Sequence, residues 1–416
     1  MTHSEPAPHF GKLVHAACWM TVLAGPAPSG PALAAGPGWL PLFAERLDRA
    51  EQAAEADPEA FSPALEQLRR DADRALSAGP FSVTQKSQTP PSGDRRDYMS
   101  IGIYWWPDPD QPDGLPYIKR DGRPNPEYYE ISDPAQLLDL SAAVETLSLG
   151  YRFFGDERYA SRAARLLRTW FLSPETGMRP HLEYAQAVPG RSTGRGYGII
   201  ETRTLPRIVE SLGLLAASDA WGDSDQAAMR RWCKDYLDWL QQSEKGRFEA
   251  QTHNNHGTYY DLQVVSLMGF LGREADARAV LGRAEQSRIA SHIRPDGQQP
   301  HEIARTRSWD YSVMNLAGLM QLADYGDRLG LDLWGCEAAN GGGLRPALDY
   351  LVAFMGKDQS WPHEQIRKTD TRRLAPVALL GAVAYDDPGL AAAAGAQLPD
   401  TSRAYLVLGV APQGVP

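Results

Sequence analysis

The chain has 416 residues, 43% of them hydrophobic and 23% charged, and its formal net charge is −10. That balance is globular and shows no sign of extended disorder. No Lys- or Arg-rich run is present, which disfavours a nucleic-acid partner, since phosphate contacts need a basic footprint; an acidic polymer could still be held in a locally positive cleft.

The N-terminus carries a lysine, Lys12, before the apolar "LVHAACWMTVLAG", followed by "PALAAG". This reads as an export signal with cleavage before Ala35, giving a secreted or periplasmic protein, or else as an unstructured tail over residues 1–35. Residues 36–416 read as one domain. No later apolar run approaches the ~20 residues of a membrane span. Cys18, Cys233 and Cys336 form neither a CxxC pair nor a regular spacing, so no zinc ribbon or disulfide framework is expected.

From residue 37 the chain reads as helix after helix. "LFAERLDRAEQAAEA" and "SPALEQLRRDADRALSAG" place apolar residues three and four apart. An irregular stretch, 79–131, is rich in Pro, Gly, Asp and aromatic residues. Helices resume at "SDPAQLLDLSAAVETLSLGYRFFG", with Ser132 and Asp133 as cap candidates, and continue through "DERYASRAARLLRTWFL". A second irregular stretch, 173–200, precedes "TRTLPRIVESLGLLAAS" and "SDQAAMRRWCKDYLDWLQQS". The helix after "QTHNNHG" carries Tyr260, Val264, Leu267, Met268 and Leu271 on one face, with Gly272 fitting its end. Helices thus come in pairs, and strand-like alternation is almost absent. The expected fold is all-α, a toroid of helical hairpins whose rim loops line a cleft.

Four segments could carry chemistry. "QTHNNHGTYYDLQ" sets His253, Asn254, Asn255 and His256 at a helix start, where free N–H groups and the dipole favour an anion. Gly257 would let a ligand come close. An Asn cap beside a satisfied histidine is the plainer alternative. A metal on His253, His256 and Asp261 is also conceivable, but no standard ligand spacing supports it.

"PHEIARTRSWDYSVMNLAGL" gathers His301, Glu302, Arg305, Arg307, Tyr311 and Asn315. A helix starting by Arg307 puts Arg307, Tyr311 and Asn315 on one face and turns Arg305 elsewhere. An extended 300–308 would instead put both arginines on one side. "DYMSIGIYWWPDP" offers Tyr104, Trp105 and Trp106 as sugar-stacking rings or as a plug of the toroid, with Lys119, Arg120 and Arg123 near enough to meet carboxylates. In "YAQAVPGRSTGRGYGII", Gln186, Arg191 and Arg195 are polar groups on a glycine-bearing loop that lacks the GKS or GKT of a phosphate loop.

Taken in order, "DYMSIGIYWWPDP" with "PDGLPYIKRDG", "YAQAVPG…GRGYGIIET", "NNHGTYYDLQ" and "HEIARTRSWDYSVMNL" resemble the alginate lyase superfamily of polysaccharide lyases over about residues 90–325. The resemblance implies an incomplete α/α toroid and β-elimination at a 4-linked uronate, of alginate or glucuronan type, with no cofactor or metal. It implies that Asn255 and His256 are the family's Asn–His pair, Tyr311 its tyrosine and Arg305 its arginine. The arginine-to-tyrosine spacing is one residue shorter than in the alginate-specific branch, which keeps Arg307 as a rival and leaves the polymer open. Asn254, Tyr104, Trp105, Trp106, Gln186, Arg195, Arg307 and Glu302 are candidate substrate contacts.

In this reading Asn255, His256 and an arginine neutralise the uronate carboxylate. Tyr311 acts as acid, and as base where the C5 proton and O4 share a face, its ionisation eased by a nearby arginine. His256 is the base where they do not. Two other readings stand beside it. A glycoside hydrolase would need two facing carboxylates, drawn from Glu201, Glu302 and Asp310. A non-catalytic protein would only bind the acidic glycan.

Overall fold

The computed structural model describes residues 44–412, which lie in one compact unit. The expected export signal falls outside the described residues.

Sixteen α-helices are formed among the described residues. The first pair is α1 (Ala44–Ala56) and α2 (Pro58–Ala75), the latter capped by Asp57. Then come α3 (Asp133–Phe154), α4 (Glu157–Leu167), α5 (Leu205–Leu215), α6 (Asp223–Gln242) and the short α7 (Glu244–Ala250). The middle of the chain forms α8 (Asn255–Phe270), α9 (Glu274–Ala284), α10 (Ala290–His292), α11 (Pro300–Ile303) and α12 (Ser308–Arg328). The last four are α13 (Leu344–Val352), α14 (Ala375–Ala384), α15 (Pro388–Gly395) and α16 (Arg403–Leu408).

Packing neighbours run α2, α3, α5, α8, α12, α14, α16, and α16 returns onto α1 and α2. This is an α/α toroid. Its inner helices have neighbours on both flanks and outer helices behind, so they lack a solvent face. Residues 257–268 of α8 and 140–150 of α3 are buried without a break. Outer α4 keeps a one-sided apolar stripe of Tyr159, Ala160, Ala163, Ala164, Leu166 and Leu167.

Ion pairs, some of them buried, close the ring. Arg46 of α1 donates to Asp324 of α12 at 2.8 Å. Arg403 of α16 lies 3.4 Å from Glu145 of α3 and 3.6 Å from Asp71 of α2, and Glu145 also pairs with Arg207 of α5.

The expected irregular stretches are the rim loops, and they hold short strands that periodicity does not reveal. β1 (Met99–Ile101) pairs in parallel with β4 (Tyr184–Ala187), tying the two loops together. β2 (Trp105–Trp106) pairs antiparallel with β3 (Ile118–Lys119). Ser132 and Asp133 do not act as the expected side-chain cap of α3. Asp133 instead accepts the Met99 amide at 3.0 Å and pairs with the buried Lys86 at 2.9 Å, anchoring β1 to the toroid.

Candidate active site

The rim loops and the ends of α8 and α12 enclose a cleft of about 560 Å³. Asn254, Asn255, His256, Tyr104, Trp105, Gln186, Arg195, Arg305, Arg307 and Tyr311 all line it. The four sequence segments therefore meet at one place.

Asn254 caps α8, its side-chain oxygen accepting the His256 amide at 3.1 Å. The Asn255 amide is also taken: it donates to Glu302 at 2.7 Å, and the Asn255 side chain donates to the other Glu302 oxygen at 2.8 Å. So the first two backbone donors of α8 are satisfied within the protein, and Asn254, Asn255 and His256 line the cleft. Gly257 does not serve a ligand as expected. A methyl there would collide with the Thr252 carbonyl and the Arg288 guanidinium, so its role is helix packing.

Glu302 is corrected likewise. At 1% exposure, with both oxygens occupied, it cannot be a substrate contact; it orients Asn255 from behind. Burial pushes its carboxyl up to about 7, against the Asn255 hydrogen bonds and the charges of Arg305 and His256.

His256 has a comparable support that the sequence reading missed. Its Nδ1 lies 2.6 Å from a carboxylate oxygen of Glu249 on α7, a residue with no solvent exposure. That contact favours a proton on Nδ1 and leaves Nε2 with the lone pair. Of the groups considered for a metal, Glu249 holds Nδ1 of His256 and Asp261 is paired with Arg288 at 2.8 Å.

Tyr311 lies in the first turn of α12, which begins at Ser308 with Arg307 as its cap. Arg305 lies outside the helix, yet it does not turn away. Its guanidinium carbon sits 4.1 Å from the centre of the Tyr311 ring, held by Asp121 at 2.7 Å and 3.2 Å. Arg307 bonds Asp310 at 2.9 Å and reaches the Tyr104 hydroxyl at 3.4 Å. The Tyr104 and Tyr311 hydroxyl oxygens are 2.7 Å apart. Asn315 shares the expected face but is buried deeper, joining Thr258 of α8 at 2.7 Å to Gln299 at 2.8 Å.

The expected lowering of the Tyr311 phenol is overturned. Burial raises it, Tyr104 adds to the rise, and the opposing pulls of Arg305 and Arg307 are outweighed. Tyr311 is a neutral phenol in this state and holds a proton that it can donate.

The remaining candidates divide. Gln186 has a left-handed backbone, φ 49°, and receives Arg195 twice, at 2.9 Å on its carbonyl and 3.0 Å on its side chain. Strain of this kind, about 1–3 kcal/mol, persists where the surroundings over-determine it. Trp105 lines the cleft between Arg191 and Arg195, 5.6 Å and 5.2 Å from its ring. Trp106 does not: its indole donates to the Arg123 carbonyl at 2.8 Å and Arg120 covers its ring, so it stabilises the loop. Of the basic residues there, Lys119 lines the cleft.

Charge in the cleft opposes that of the chain. Lys119, Arg195, Arg203, Arg207, Arg305, Arg307 and Arg373 line it, against two carboxylates, Glu201 and Asp310. Glu201 accepts from Tyr98 and Ser100 at 2.9 Å and 2.7 Å, and burial raises it to about 7. Asp310 is paired with Arg307.

The family model for alginate lyase matches residues 82–361. The crystal structure of an alginate lyase from Bacteroides ovatus is similar over 88% of this chain and 98% of its own, with 35% identity and a TM-score of 0.84. A variant of alginate lyase A1-III complexed with a tetrasaccharide is similar over 86% and 97%, with a TM-score of 0.53; at 16% identity this likeness speaks for the fold alone. No curated protein matches the chain.

Proposed function

This chain belongs to the alginate lyase family and is a polysaccharide lyase acting on uronate polymers; from that premise we propose that it cleaves a 4-linked uronate chain, of alginate or glucuronan type, by β-elimination at Asn255, His256, Arg305 and Tyr311. The observation that carries the proposal is the convergence of these residues on a cleft lined by seven cations and two carboxylates, in a chain of net charge −10. An acidic polymer is drawn to such a cleft by focused potential.

The reaction must remove the weakly acidic C5 proton beside a carboxylate that is already negative. The electron pair of the C5–H bond forms the C4–C5 double bond, the C4–O4 bond breaks, and O4 leaves with a proton. Negative charge grows on the carboxylate in between, and Asn255 and Arg305 supply donors where it develops. Tyr311 protonates O4. The phenolate that forms lies under the Arg305 guanidinium and beside the Tyr104 hydroxyl, which Arg307 polarises. Where the C5 proton lies on the face opposite O4, the Nε2 lone pair of His256 is the base, and Glu249 stabilises the imidazolium that results; where the two share a face, Tyr311, first deprotonated beneath the Arg305 guanidinium, takes the C5 proton and passes it to O4.

Hydrolysis is less well supported. Glu302 is wholly occupied with Asn255, Asp310 is paired with Arg307, and Glu201 is buried against Tyr98 and Ser100. Of these three carboxylates, no two remain free to flank a glycosidic bond.

The test is digestion of alginate blocks, glucuronan and hyaluronan by one preparation. An unsaturated uronate absorbing near the ultraviolet edge is expected from at least one. New reducing ends without that absorbance would establish a hydrolase, and neither product would leave the binding reading.

A further inference from the structure

We propose that Phe248 and Tyr197 form an aromatic shelf outside the catalytic residues, on which a further sugar ring of the uronate chain stacks. The proposal rests on the lyase reading and extends it to a subsite at the cleft mouth.

Phe248 is 46% exposed, an uncommon situation for a phenylalanine on a helix whose neighbour Glu249 is fully buried. α7 thus presents two consecutive side chains to opposite purposes: Glu249 inward to His256, Phe248 outward. The Phe248 ring is not loose. It packs on the backbone of Gly196, where a methyl group would collide with it. It also meets the Tyr197 ring edge to face, with centres 4.9 Å apart and planes at 87°.

Tyr197 in turn meets the His256 ring at 5.0 Å, so the shelf is continuous with the Asn–His pair. Tyr197 lines the cleft and is itself 36% exposed.

The neighbouring charge identifies the occupant. The Arg195 guanidinium lies 5.4 Å from the centre of the Tyr197 ring and is fixed by Gln186. A uronate residue offers an apolar face of C–H groups and, at its edge, a carboxylate. An exposed ring beside an anchored cation matches both. A neutral sugar would leave the arginine's charge unanswered, and an apolar peptide would bury that charge with no anion beside it.

The test compares wild type with Phe248→Ala and Phe248→Tyr on a length series, from the shortest uronate oligomer cleaved up to the polymer. Phe248→Ala is expected to raise KM about tenfold for chains long enough to reach the shelf. Chains too short to reach it should change by less than about twofold, and Phe248→Tyr should restore the polymer value. An unchanged KM for the polymer, or an equal rise at every length, would overturn the shelf while leaving the lyase reading intact. Absence of unsaturated product from wild type with every uronate would overturn both.

Discussion

The hydroxyl oxygens of Tyr104 and Tyr311 lie 2.7 Å apart although the residues come from a rim loop and an inner helix, 207 positions distant in the chain. Tyr311 is thereby held as a neutral phenol with a hydrogen-bonding partner already beside the atom that will carry charge. Tyr311→Phe should lower kcat about 10³-fold, within the range for loss of a general acid, and change the oligosaccharide dissociation constant less than about threefold. Tyr104→Phe keeps the ring and removes one hydrogen bond to the phenolate, so a loss of about tenfold in kcat is expected. Steady-state kinetics with calorimetric binding separates the two effects; normal turnover in Tyr311→Phe would remove the acid from the scheme.

Arg305 and Arg307 occupy distinct places around that phenol. Arg305 covers its ring and is anchored by Asp121, which also accepts from the Thr306 hydroxyl, whereas Arg307 acts one bond further out through Tyr104. Arg305→Ala should therefore cost about 100-fold or more in kcat. Arg307→Ala should cost roughly tenfold, as the loss of one polarising contact. The reverse order would assign the principal cation to Arg307.

Glu249 is a positioning residue, because it touches His256 and not the cleft. Glu249→Gln preserves size and can still accept the Nδ1 proton, but it removes the charge that stabilises imidazolium. The expected result is a kcat lower by about tenfold with KM changed less than about twofold, since the imidazolium forms only as the reaction proceeds while the substrate contacts stay in place. A purely structural role would lower the amount of folded enzyme and leave kcat per folded molecule where it was.

These supports explain what sequence could and could not disclose. The Asn–His pair is contiguous, and Arg305, Arg307 and Tyr311 fall within seven residues, so each cluster was visible as a local concentration of polar side chains. The toroid was visible because apolar residues recur three and four apart in successive paired helices with almost no strand-like alternation; that α8 is buried on every side, not on the one face its apolar residues mark, was not visible. Glu249 and Asp121 left no such trace. Glu249 meets His256 across the break between α7 and α8, and Asp121 meets Arg305 across 184 positions, so no helical or strand period links the partners. The inverted phenol has the same origin. A cation nearby can be guessed from spacing, but the depth of burial that outweighs it exists only once the rim loops close over α12.

Glu302 should make activity and stability respond to pH in opposite directions. Its folded carboxyl is raised to about 7 from an ordinary 4.5, so between those values the native state holds a proton that the unfolded chain has lost. Its contribution to stability is therefore full below about 4.5 and declines as pH rises through 7. Only the carboxylate accepts both Asn255 donors, so activity should rise over the same interval. Glu302→Gln places an amide donor against the Asn255 amide. It should lose about 30-fold or more in kcat, and its denaturant stability should depend less on pH from 5 to 7 than wild type does. An unaltered pH slope in the variant would show that Glu302 does not titrate there.

Lys86 and Asp133 offer a test remote from the cleft. Both are buried, 2.9 Å apart, and Asp133 also fixes the Met99 amide at the start of β1. Burial lowers the lysine and raises the aspartate to about 6, against the mutual attraction in each case. Lys86→Met fills the space but strands a carboxylate, for which a loss of about 3–5 kcal/mol is expected. Without its counter-charge Asp133 should keep its proton to still higher pH. The deficit is therefore smallest at pH 5, where the group is neutral in the folded state, and grows as pH rises and ionisation is forced. Urea unfolding at pH 5 and pH 8 reads this directly: an equal loss at both would mean that volume, not charge, holds the rim loop to α3.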